Sequence, residues 1–162
     1  MTTPSVTPEQ SDLYRQRAWR AYDLAADEER DGPEWDQAYY RHRCGTACCY
    51  AGLLVMSNDR PWLLDYNDAG LPIIDGTPVS DDHVYDEYLV AAPGDPEHAI
   101  TEQHGKQVIH VKYVAAMLIG LDPYGFHADD GGLFAPQNTL DDLKWLITKQ
   151  IGPRPAGQTH PS

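Results

Sequence analysis

The chain has 162 residues, 41% apolar, 23% charged and 10% aromatic, the mix of one folded domain able to bury a core without disulfide or metal staples. Twenty-five acids against twelve bases give a formal charge of −13, which argues against direct contact with nucleic acid, because phosphate repels such a surface and no Lys/Arg cluster offsets it. No apolar run approaches the ~20 residues of a membrane span, and the opening Met1-Thr2-Thr3-Pro4-Ser5-Val6 lacks the basic start and apolar middle of a secretion signal, so a cytoplasmic address is expected.

Residues 1–6 are polar and expected to be disordered. Thr7-Pro8-Glu9-Gln10 then supplies an N-cap, a proline in the first turn and a capping-box glutamine. The helix that follows places Tyr14, Ala18, Ala21, Tyr22 and Ala25 on one side and Arg15, Asp23 and Glu29 on the wet side, and Asp31-Gly32-Pro33 stops it. A short second helix is predicted over Glu34 to His42, with Trp35, Ala38 and Tyr39 inward. Thr46 caps a third, running to about Ser57, that is apolar on nearly every side and reads as a buried central helix.

Two short strands, Trp62 to Tyr66 and Leu71 to Asp75, are joined by a loop ending at Gly70, and Pro72 suggests that the second lies at an edge. Ser80 is a possible cap for a short helix reaching Tyr88 to Ala92, although Tyr88-Leu89-Val90 also suits a strand. The stretch up to Gly105 has no clear period. From Val108, the positions Val111, Val114, Ala115, Leu118 and Ile119 follow helical spacing, and Gly120-Leu121-Asp122-Pro123 gives a Schellman-type stop. Thr139 caps a last helix with Asp141 and Asp142 in its first turn and Leu140, Leu143, Leu146 and Ile147 inward. The expectation is a single α+β domain over residues 7–151, predominantly α-helical, with about five helices and a small antiparallel β element, followed by a disordered tail over 152–162.

The string Cys44-Gly45-Thr46-x-Cys48-x-x-Ala51-Gly52, preceded by Trp35-Asp36-Gln37 and followed by Ala115-x-x-Leu118-x-Gly120-Leu121, Leu133-Phe134 and Asn138-Thr139-Leu140, resembles a group of small proteins encoded mainly by phages of actinobacteria and by actinobacterial chromosomes. The resemblance covers about residues 35–57 and 108–147, and the stretch between looks like a variable insertion. It implies a mostly helical domain and a phage-type accessory role, and no mechanism.

Cys44, Cys48 and Cys49 fall within six positions, which is not a disulfide framework and suits a reducing compartment. Cys48 falls near the start of the helix capped by Thr46, where free N–H groups and the helix dipole favour a thiolate, and His42 lies two residues before Cys44. Cys44 and Cys48 are therefore the catalytic candidates of a small thiol enzyme or redox protein. Packing is the stronger reading, since free cysteine is among the most buried residue types. His42, Cys44, Cys48 and Cys49 lack the paired spacing of a zinc site, His98, His104 and His110 recur every six residues and match no helical ligand pair, and Asp129-Asp130-Gly131-Gly132 lacks the alternating ligands of a calcium loop. No metal or cofactor is expected.

The charge is concentrated: residues 61–105 carry ten acids and no Lys or Arg. Trp62, Tyr66, Tyr85 and Tyr88, interleaved with Asp81, Asp82, Asp86 and Glu87, combine long-range steering with aromatic anchors suited to a protein interface. The expected function is a non-enzymatic module that engages a basic surface of a partner, such as a host protein. The alternatives are a solvated acidic face, the thiol enzyme, an acidic mimic of nucleic acid, and a self-assembling structural protein.

Overall fold

The computed structural model describes residues 6–31, 50–69, 71–79, 85, 87–122, 132–134 and 138–155. These form four α-helices, a 3-10 turn and six short strands: α1 Pro8–Asp31, α2 Tyr50–Met56, β1 Asp65–Tyr66, β2 Pro72–Ile74, β3 Thr77–Pro78, β4 Tyr88–Val90, the 3-10 turn Glu97–Ala99, β5 Ile100–Gln103, β6 Lys106–His110, α3 Val111–Leu118 and α4 Leu140–Gln150. The class is α+β. The expected single antiparallel element is instead two three-stranded antiparallel sheets, ordered β1-β2-β3 and β4-β6-β5, so "predominantly helical" is imprecise, as is "about five helices" beside the four among the described residues. The predicted helix over residues 34–42 lies outside the described residues.

Three helix ends, the starts of α1 and α4 and the end of α3, follow directly from their sequence signals. At α1 the Gln10 N–H donates to Thr7 Oγ1 at 3.1 Å while the Thr7 N–H donates to Gln10 Oε1 at 3.0 Å, a reciprocal capping box. Thr139 and Asp142 repeat that exchange at α4. At the end of α3, Gly120 takes φ +76, the Leu121 N–H donates to Ala116 O at 2.9 Å and the Gly120 N–H to Met117 O at 3.3 Å, which is the Schellman pair of bonds. Helix α2 is the centre of the molecule: Tyr50, Ala51, Gly52, Leu53, Leu54 and Val55 are all buried, between α1 and α3.

The main core gathers Ala18, Trp19, Ala21 and Ala25 of α1, the buried run of α2, Val111, Val114 and Ala115 of α3, and Leu143 and Ile147 of α4. A second, smaller cluster holds Leu63, Leu64, Ile74 and Val108. Strand β6 separates the two, because successive side chains of a strand point to opposite faces: Ile109 enters the main core and Val108 the smaller one. This sandwiched position explains why the helical spacing read from Val108 begins three residues too early. The true helix starts at Val111, after His110, whose Nδ1 accepts the Lys112 N–H at 3.1 Å as its N-cap.

Four other expectations are corrected or narrowed. Pro72 lies in the central strand of its sheet, at that strand's first residue, where the missing N–H is tolerated. Of the helix and the strand left open at Tyr88–Val90, the strand is found: it is β4, held by Leu89↔Ile109 and Val90↔Val108. Asp23, placed on the wet side of α1, is 7% exposed and ion-paired to Arg154. The packed structure also continues past Ile151, since Gly152 O accepts Trp19 Nε1–H at 3.0 Å and Arg154 reaches Asp23.

Candidate functional site

The acidic stretch is organised by two tight hairpins. Asp75-Gly76 joins β2 to β3 with φ of 51 and 78, and His104-Gly105 joins β5 to β6 with φ of 51 and 76. Both positions of each turn are left-handed, as a two-residue type I′ hairpin requires, which is why Gly fills the second. The two turns are tied together: Lys106 Nζ donates to Asp75 Oδ1 at 2.6 Å. Beside them the Tyr85 ring meets the His104 ring edge to face at 5.8 Å.

Three further polar arrangements surround the β4-β6-β5 sheet. Arg60 donates through Nη1 and Nη2 to the two Asp95 oxygens at 3.1 and 2.7 Å, and the Ala92 N–H donates to Asp95 Oδ2 at 2.8 Å, so this carboxylate is committed to holding the loop after β4. Glu87 Oε2 lies 3.5 Å from His110 Nε2. Because His110 Nδ1 accepts the helix N–H, the neutral ring carries its proton on Nε2, facing the carboxylate. The third is the pair of His98 Nε2 and Tyr113 Oη, 3.1 Å apart, beside an open groove of about 700 Å³ lined by Glu97, His98, Ile100 and Gln107.

Among the residues singled out from sequence, Tyr66, Tyr85 and Tyr88 are half-buried and pack around the smaller cluster, whereas Trp62 leans on the main core. They stabilise the sheets first and show only part of their rings to solvent. Glu87 is half-buried against His110. Asp81, Asp82 and Asp86, like Cys44 and Cys48, lie outside the described residues. Among the described acids of the stretch, Asp65, Asp68, Asp75, Glu97 and Glu102 are exposed. Among the described residues Asp95 pairs with Arg60 and Asp75 with Lys106, and the Asp65 carboxylate accepts the Tyr66 N–H at 2.9 Å. Sequence reading missed Leu71, an exposed apolar residue next to this charge, and Trp145 on α4, 59% exposed with Lys149 Nζ 4.5 Å from its ring centroid.

Among the described residues no group of three or more His, Cys, Asp or Glu converges as a metal site, and no helix is long and apolar enough to cross a membrane. Burial pushes the Tyr50 hydroxyl well above its ordinary pKa. Its O–H donates to Ala18 O at 2.8 Å inside the core, a structural role with no opening to a substrate. Comparison with protein-family models, curated proteins and solved structures finds no match to this chain.

Proposed function

We propose that the protein is a non-enzymatic binding module, acting in the cytoplasm as a phage-type accessory protein, that engages a basic surface on a partner protein through the acidic stretch 61–105. The supporting observation is the balance of charge on that stretch: the carboxylates of Asp68, Glu97 and Glu102 are exposed, and the ion pairs with Lys or Arg found there among the described residues are Arg60–Asp95 and Lys106–Asp75. An excess of exposed carboxylates raises the approach rate and orientation of a cationic partner within about a Debye length, ~8 Å at physiological salt. The half-buried rings of Tyr66, Tyr85 and Tyr88 give the surface a firm apolar base.

The test is capture from an actinobacterial lysate with the wild-type chain and with a variant carrying D65N, D68N, E97Q and E102Q. The reading expects basic proteins that are released by rising salt and are lost from the neutralised variant. Recovery of the same proteins with the same salt sensitivity rejects it.

A further inference from the structure

We infer that β5 is an acceptor edge, to which an extended basic segment of the partner adds as a fourth strand of the β4-β6-β5 sheet. The inference rests on the proposed binding of a basic partner and specifies how that partner is held.

The first observation is the unequal finish of the two sheet edges. The outer edge of β4 is covered: the Leu63 N–H donates to Tyr88 O at 3.1 Å, the Val90 N–H donates to Pro61 O at 2.9 Å, and Trp62 bridges to Leu89. Strand β5 pairs with β6 alone, and among the described residues no backbone group meets its other side.

Register then identifies the open groups. In a two-residue hairpin the residues flanking the turn, here Gln103 and Lys106, exchange both backbone bonds, and pairing alternates from there. Thr101 therefore bonds Val108, whereas Ile100 and Glu102 direct their backbone groups away from β6. A separate bond supports this phase: Gln107, opposite Glu102, gives its carbonyl to the Ala91 N–H at 3.0 Å on the β4 side. The Ile100 N–H is already used by Glu97 O in the 3-10 turn. The open row is thus Ile100 C=O, Glu102 N–H and Glu102 C=O, which is the template that strand addition uses.

Charge selects the occupant. Glu102 sits at the middle of the open row with Glu97 upstream, and both are exposed. Lys106, the nearest base in the hairpin, is directed to Asp75 instead. A second copy adding through the same strand sets like charges across the new seam, on two chains of −13 each, so self-pairing is penalised where a lysine- or arginine-bearing strand is favoured. The groove of Glu97, His98, Ile100 and Gln107 lies at the upstream end of the row and suits one such side chain, its aliphatic stem on Ile100 and its charge at Glu97.

The experiment is amide hydrogen exchange by NMR on the full chain, free and with a capped eight-residue peptide alternating Lys and Val. In the free chain the Glu102 N–H should exchange quickly and those of Thr101 and Gln103 slowly. Peptide should slow the Glu102 N–H by about tenfold or more. Glu102→Pro, which removes the outward donor and leaves the β6 bonds intact, should weaken peptide binding by a further ~5-fold beyond Glu102→Gln. A peptide N-methylated at alternate residues tests the same bonds without altering the protein. Salt-sensitive binding that leaves Glu102 exchange unchanged, with the N-methylated peptide equally good, overturns strand addition while the charge reading survives. No binding of the Lys/Val peptide overturns strand addition, and if the neutralised variant also captures the same lysate proteins, the charge reading falls with it. A Glu102 N–H already slow in the free chain overturns the inference too: the occupant is then another part of this chain, or a second copy where the slowing grows with protein concentration.

Discussion

Arg154 donates through Nη1 and Nη2 to the two oxygens of Asp23, at 2.7 and 2.8 Å, joining the segment after α4 to α1 across 131 residues of chain. The same guanidinium lies 4.7 Å from the Trp19 ring centroid, and the Asp23 hydrogen bonds raise its pKa, so it stays charged wherever the fold persists. Arg154→Ala leaves the Asp23 carboxylate, whose side chain is 10% exposed, without its cation. Arg154 itself is 29% exposed, so the expected loss in urea unfolding is about 2 kcal/mol, below the ~3–5 kcal/mol of a wholly buried pair. Asp23→Asn combined with Arg154→Ala should cost less than the sum of the single changes. Strict additivity means the pair contributes no coupling.

This tie also marks a limit of reading the sequence alone. Thr7-x-x-Gln10, Thr139-x-x-Asp142 and Gly120 are legible because each cap is closed by residues three to five positions apart, within the reach of local pattern. Asp23 was misplaced because its partner is distant in sequence and sits in a Pro/Gly-rich stretch with no period of its own. The β5–β6 hairpin was missed for a different reason: Val108 and Ile109 are both buried, since the sheet lies between two clusters, so the alternation of a half-exposed strand is absent. The signal not used lies in the turns: Asp75-Gly76 and His104-Gly105 each end in the Gly that a type I′ hairpin needs. Of the candidate site, the excess of acid was visible in composition, but the open edge of β5 depends on register and could not be.

The left-handed glycines separate conformational cost from steric cost. Gly76 and Gly105 have open space where a Cβ would stand, so Gly76→Ala and Gly105→Ala carry the φ penalty alone, about 1 kcal/mol. At Gly120 the added Cβ would lie 2.5 Å from Tyr14 Cε2, and the ring must move against α1. Gly120→Ala should therefore cost about 2–3 kcal/mol and lower the melting temperature clearly more than either hairpin variant. Equal losses at all three positions mean that Tyr14 does not clamp the end of α3.

Tyr50 gives the chain a defined weakness to alkali. Its folded pKa lies above the ordinary value because burial disfavours the phenolate, while in the unfolded chain it ionises near ~10. Above that pH the folded state holds the extra proton, so stability is complete below ~10 and falls as pH rises further. Absorbance titration should show Tyr50, identified as the signal lost in Tyr50→Phe, resisting ionisation until the chain unfolds. Tyr50→Phe should lose about 1 kcal/mol at neutral pH with the bond to Ala18 O, yet show a shallower decline above pH 10. An unchanged alkaline slope removes Tyr50 as its source.

Lys106 separates stability from binding. Its bond to Asp75 joins the two hairpin turns but is solvent-exposed, with side chains 32% and 67% accessible, and such pairs contribute at most about 0.5 kcal/mol in salt. Lys106→Gln should leave urea unfolding unchanged within that margin. It also releases the Asp75 carboxylate beside the β5–β6 turn, making the acidic surface more negative without touching the backbone row of Ile100 and Glu102. Affinity for the Lys/Val peptide, measured calorimetrically at two salt concentrations, should rise by about two- to fivefold at low salt and converge with wild type at high salt. Weaker binding by K106Q, with stability intact, would mean that the ammonium group itself contacts the partner, and the sign of the charge argument at this hairpin would have to be reversed.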